Sequence, residues 1–170
     1  LAMHAPVTTG VTHVTNQSGE VIMQFTVRQV IAAATLTALS SAALAAEHIV
    51  EMKNAGADGA MVFEPGYLKA EPGDTVKFVL VGQAHNSASV AVPEGAVSWQ
   101  GAINQGITVT LDKEGVYVYK CTPHSVLNMA GIIQVGEPVN YDSAKTAVSG
   151  LTAAAAANKN RLTGYFGQVQ

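Results

Sequence analysis

The sequence has a single cysteine, Cys121, among 170 residues, so no disulfide can form within the chain. Charged residues make up only 12 % and show no run of one sign, which removes the basic stripe expected of a nucleic-acid binder. Hydrophobic residues make up 48 %, enough for a sizeable core, so disorder driven by charge is excluded as well. Uninterrupted apolar runs fall short of the ~20 residues that cross a bilayer as a helix. A lone cysteine in so apolar a chain is buried, reactive or held by a metal.

What is present starts with an export pattern. Met23 opens a segment with one base, Arg28, and no acid. An apolar stretch from Val30 to Leu39 follows, then small residues ending in Ala43-Leu44-Ala45, an A-x-A cleavage site. Residues 23–45 are read as a secretory signal peptide cut after Ala45, and the mature chain is expected in the periplasm, with no membrane anchor after signal removal. Residues 1–22 are read as disordered and upstream of the true start, which leaves His4 and His13 incidental. Removing residues 1–45 takes away Arg28 and Glu20, so the formal net charge of -3 is unchanged.

Residues 46–137 read as one β unit. Short apolar or alternating runs are separated by turn residues, as in Thr75-Val-Lys-Phe-Val-Leu-Val81 after Glu71-Pro72-Gly73-Asp74. Similar runs start at His48, Ala60, Tyr67, Ser89, Ile107, Val116 and Gly131. That spacing predicts an all-β antiparallel sandwich or barrel. Residues 138–170 change texture and are rich in helix formers. They predict a C-terminal helical pair packed on the sandwich, with Asp142 or Ser143 capping the first helix and Gly150 ending it.

The chemistry concentrates in Cys121-Thr-Pro-His124-Ser-Val-Leu-Asn-Met129, a loop between two strong strands. A scaffold of strands fixes the directions of side chains on such a loop. It supplies a thiolate, an imidazole and a thioether. His85, after the central strand, is the histidine best placed to join them. Two imidazoles and a thiolate with a weak axial Met form the ligand set of blue-copper electron-transfer sites. Imidazole suits Cu(II) and sulfur suits Cu(I), so a fixed mixed set accepts both oxidation states with little movement. Pro123 has no N–H to offer the sulfur, leaving the Asn86 backbone N–H as the expected main donor. A Cys–His nucleophile lacks an orienting third group here, and zinc would call for Cys/His pairs rather than Met.

These residues carry a resemblance. Gly59-Ala-Met-Val-Phe-Glu-Pro65, Ala84-His85-Asn86, Lys120-Cys121-Thr-Pro-His124, Met129 and Gly131-Ile-Ile-Gln-Val-Gly136 resemble the pseudoazurin family of bacterial cupredoxins over about Val50 to Arg161. The resemblance implies a Greek-key β-sandwich with two C-terminal helices. It also implies one type 1 copper per chain, no enzymatic turnover, and a monomer that shuttles electrons. Periplasmic redox proteins would be the partners: copper nitrite reductase or a haem reductase, and cytochrome c. Copper storage or delivery without electron transfer is the alternative. Two departures stand out. Ser125-Val126-Leu127-Asn128 occupies a loop that is glycine-bearing in the family, with Asn128 expected to take the left-handed conformation. The family's ring of lysines is reduced to Lys53 and Lys120, which predicts weak steering toward an acidic partner. Pro123, Val126, Leu127 and Met61 are the expected docking patch.

Overall fold

The structure, a computed structural model, describes residues 45–170, so the expectations for residues 1–44 lie outside the described residues. Eight strands come first: β1 (Glu47–Gly56), β2 (Gly59–Glu64), β3 (Tyr67–Ala70), β4 (Thr75–Leu80), β5 (Ala88–Ala91), β6 (Ile107–Thr110), β7 (Gly115–Lys120) and β8 (Ala130–Val135). Two helices follow, α1 (Tyr141–Ala154) and α2 (Lys159–Phe166). The strands form two four-stranded sheets, ordered β2-β1-β4-β6 and β3-β8-β7-β5. Pairing is antiparallel except for β1 with β4 and β3 with β8.

The alternation along each strand explains the layers. In β4, Val76 and Phe78 face inward and are fully buried, while Lys77 is exposed. They meet Val50, Met52, Phe63, Tyr117, Tyr119 and Ile133 between the sheets. Phe63, Phe78 and Tyr119 pack edge to face, with centroids 4.8 to 6.0 Å apart. Trp99 stacks on Phe78 and donates Nε1–H to Ser87 Oγ at 2.9 Å, so it is a core residue.

Strands β7 and β8 are buried on both faces. Tyr117, Tyr119 and Ile133 point between the sheets, whereas Val116, Val118, Ala130 and Ile132 point outward under the helices. Ala144 and Val148 of α1 and Leu162, Tyr165 and Phe166 of α2 cover them. The Tyr117 hydroxyl donates to Lys113 O at 2.8 Å and pins the turn before β7.

The helices differ from expectation in two details. Asn140, not Asp142 or Ser143, stands at the start of α1 and makes no capping bond. Its side chain instead pairs with both backbone groups of Val116, at 2.6 and 2.9 Å, and ties the helix start to β7. Helix α1 runs through Gly150, beside which there is open space, and stops at an extended Ala155. Gly inside a helix costs only about 1 kcal/mol, which packing of the apolar face offsets. None of the described helices is long and apolar enough to cross a membrane.

Candidate metal centre

The four sequence-predicted residues come from two loops, β4–β5, which crosses from one sheet to the other, and β7–β8. His85 follows β4 on the way into β5, and the other three flank or occupy the β7–β8 connection. Strand β5 pairs with β7, bringing Ala88 opposite Lys120, and so carries His85 to Cys121 across 36 residues of sequence.

The loop closes on itself. Cys121 N–H donates to Met129 O at 2.9 Å, and Met129 N–H donates to His124 O at 3.2 Å. Between them Ser125–Leu127 make one 3-10 turn. Asn128 ends it at φ 58°, ψ 36°, the left-handed conformation expected for the residue standing in a glycine's place. Its side chain and backbone together let a glycine-free loop turn back into β8.

The donor atoms converge. Cys121 Sγ lies 3.7 Å from His85 Nδ1 and 3.5 Å from His124 Nδ1, and the two Nδ1 atoms are 3.1 Å apart. A point equidistant from these three atoms lies about 2.0 Å from each, close to the ~2.0–2.3 Å bonds that imidazole and thiolate make to a first-row transition metal. The donor set therefore fits an ion of that size without rearrangement. His85, Cys121 and Met129 are fully buried, and His124 is half-buried, so His124 is the more exposed imidazole. Met129 belongs to the same inter-sheet cluster as Cys121.

The surrounding groups orient the donors. His85 Nε2–H donates to Asn54 Oδ1 at 2.7 Å, which leaves Nδ1 with a free lone pair aimed at the sulfur. Burial, helped by the neighbouring His124, lowers the His85 pKa and keeps the ring neutral, as a ligand must be. The backbone before His85 is held at both sides. Ala84 N–H donates to Asn104 Oδ1 at 2.6 Å, and Asn104 N–H donates to His85 O at 2.8 Å. Asn86 bridges the two ligand segments: its Oδ1 accepts Thr122 N–H at 2.8 Å while its Nδ2 donates to Gly101 O and Thr122 Oγ1. Burial raises the Cys121 thiol pKa, while backbone N–H groups of Asn86 and His124 bond the sulfur and oppose that shift.

A family model described as copper binding proteins of the plastocyanin/azurin family matches residues 50–136. The chain is 47% identical over 119 residues to a pseudoazurin of Paracoccus pantotrophus, covering 68% of this chain and 82% of the relative. It is 36% identical to a pseudoazurin of Methylorubrum extorquens, covering 84% and 97%. The chain belongs to the pseudoazurin family. Among solved structures, native pseudoazurin from Hyphomicrobium denitrificans superposes with a TM-score of 0.64 at 42% identity, covering 73% of this chain and 98% of that one.

Membership settles the cofactor and the general role. Pseudoazurins are blue-copper electron carriers and not enzymes, and the cofactor is one type 1 copper per chain. The fold follows as a cupredoxin Greek-key sandwich with two C-terminal helices.

Sequence reasoning missed four supports of this pseudoazurin centre. Asn54 sits in β1 with nothing local to mark it. The His124 N–H joins Asn86 as a donor to the sulfur. The turn between the helices grips the ligand loop: Ala156 N–H donates to Val126 O at 2.8 Å, Asn158 Nδ2 to Leu127 O at 3.0 Å, and Asn128 Nδ2 to Asn158 O at 2.9 Å. Arg161 donates to the carbonyls of Asp58, Ala60 and Met61 at 2.8 to 3.0 Å and fixes the β1–β2 turn and the start of β2, where Met61 has φ 51°. The one usable signal was the pair of asparagines, a residue type suited to left-handed turns. Lys53 does not stand free, since it pairs with Glu64 and Glu51.

Proposed function

We propose that His85, Cys121, His124 and Met129 hold the copper and that the chain passes single electrons between periplasmic redox proteins. The observation that carries this reading is the triangle of two Nδ1 atoms and one Sγ, with about 2.0 Å from its centre to each corner. When bound, copper supplies the one-electron Cu(I)/Cu(II) couple.

The residues do the rest. Asn54 holds the His85 ring, Asn86 and His124 offer N–H groups to the sulfur, and the sandwich keeps the donors fixed through a change of charge. A site that does not move has little to reorganise on electron transfer. Burial of His85 and Cys121 excludes water, and the half-exposed edge of His124 is the exit toward a partner. Pro123 and Val126 are exposed beside it, and Leu127 and Met61 are half-buried, which supports an apolar docking face. Copper nitrite reductase or a haem reductase is the proposed acceptor and cytochrome c the proposed donor. The chain works as a monomer.

Export follows from residues 23–45 acting as a signal that is hydrolysed off between Ala45 and Ala46. Residues 46–137 then form the sandwich unit and 138–170 the helical pair.

An optical spectrum of the oxidised copper-loaded protein tests the centre. Intense visible absorption from Cys–Cu charge transfer, reversible by one electron and lost in Cys121→Ser, is the expected result. A colourless Cu(II) form would instead indicate storage or delivery of copper.

A further inference from the structure

A second set of nitrogen donors lies at the other end of the sandwich unit's sequence. We propose that the mature N-terminus, Ala46-Glu47-His48, is a binding site for a square-planar divalent ion, Cu(II) or Ni(II), separate from the thiolate centre. The site rests on the processing reading given above, because cleavage after Ala45 makes Ala46 the first residue and puts His48 third.

A free α-amine followed by a histidine in third place offers four nitrogens in fused chelate rings. They are the amine, the backbone nitrogens of Glu47 and His48, and the His48 Nδ1. Four nitrogens in a plane suit Cu(II) and Ni(II), and the absence of sulfur disfavours Cu(I). Binding at neutral pH releases three protons to solvent, one from the ammonium and one from each backbone nitrogen. The metal keeps its oxidation state throughout.

The structure gathers both ends of this chelate on one carboxylate. Ala46 N donates to Asp74 Oδ1 at 2.8 Å, and His48 Nε2 pairs with Asp74 Oδ2 at 2.8 Å. Because a carboxylate accepts, Nε2 carries the proton and the Nδ1 lone pair is left for a metal. A carboxylate on the far ring nitrogen is the arrangement that orients ligating histidines. The His48 side chain is 25% exposed and Glu47 is exposed, so the segment is open to an ion from solvent.

Chelation competes with the fold at a few contacts only. The planar rings require Glu47 and His48 to leave β1 and Ala46 to leave Thr75 N–H, giving up the pairings Glu47↔Thr75 and His48↔Val76 and the Thr75 N–H to Ala46 O bond. The pairings from Ile49↔Lys77 to Met52↔Leu80 hold the strand behind them. Asp74 has to release the Ala46 nitrogen but can keep His48 Nε2, and the lost contacts make the site bind less tightly than a free peptide of the same three residues.

The test uses protein exported, processed and loaded with its type 1 copper, so that the thiolate centre is occupied. Intact mass identifies the first residue, and Ni(II) is then titrated by calorimetry and by the absorption of the square-planar complex. The expected result is one Ni(II) per chain with proton release and an unchanged blue spectrum. His48→Gln should weaken it at least ~100-fold, and so should one extra alanine before Ala46, which moves His48 to fourth place. A mass that begins at another residue overturns the processing reading and the site with it. A chain that begins at Ala46 and takes up no second ion, or one whose binding survives the extra alanine, overturns the site alone.

Discussion

At the scale of residues, single side chains decide whether the donors are ready for metal. Asn54 is exposed as a residue, yet its Oδ1 fixes the orientation of the fully buried His85. Asn54→Ala should therefore cost about 1–2 kcal/mol of stability in the metal-free protein, by leaving the buried ring N–H without a partner, and weaken copper binding ~10–100-fold, measured by competition with a chelator. Gly82→Ala should act in the same direction, because a Cβ at Gly82 would collide with Asn54 Oδ1 and crowd the Asn54 backbone nitrogen. Asp74 makes a different kind of prediction. Backbone N–H of Glu71, then His48, then backbone N–H of Ala46 hold its carboxyl down at about 2. A depressed carboxyl stabilises the fold above its ordinary value near 4 and loses that contribution as pH falls from there toward 2. Denaturant unfolding should lose on the order of 1–2 kcal/mol across that window, and Asp74→Asn should flatten the loss.

At the scale of elements, the turn between α1 and α2 belongs to the metal centre as much as the β7–β8 loop does. Asn128 and Asn158 both have positive φ, at 58° and 53°, and exchange side-chain bonds between the two turns. Glycine tolerates the same backbone, so Asn158→Gly removes the amide without adding strain. One lost bond of ordinary strength should speed hydrogen exchange at the Asn128 and Met129 amides about 3–10-fold in the metal-free protein. Asn128→Gly should do the same, and the double variant should add little more, since both break one lock. Unchanged exchange in both variants would show that the β8 pairing alone holds the loop.

At the scale of the whole molecule, charge matters less than shape. The net charge is -3, and Lys53 is engaged by Glu51 and Glu64. Long-range steering is correspondingly weak. Electron exchange with an acidic acceptor should change less than about threefold between low and high salt in stopped-flow measurements. Val126→Lys, which charges a half-exposed apolar position on the ligand loop, should raise both the rate and its salt dependence.

Much of this was legible in the chain itself. Period-2 alternation marked β4, turn residues marked the strand breaks, and the Cys-x2-His-x4-Met spacing marked the ligand loop, because each depends on neighbours within a few residues. The choice of His85 could be argued from its position after a strong strand. The same local logic misplaced the end of α1 at Gly150 and its cap at Asp142 or Ser143. Packing against β7 and β8 outweighed propensity there, and Asn140 found its partner in Val116. Only the tertiary structure put Asn54 on His85, Asn158 on Leu127 and Arg161 on Met61. Those pairs are 31 to 100 residues apart, and their hydrogen bonds leave no periodic trace for a sequence to display. The sequence by itself determined which candidate donor atoms the chain offers to a metal. The two sheets and the helices on them decided how closely those atoms meet, since distance between remote segments is a property of packing.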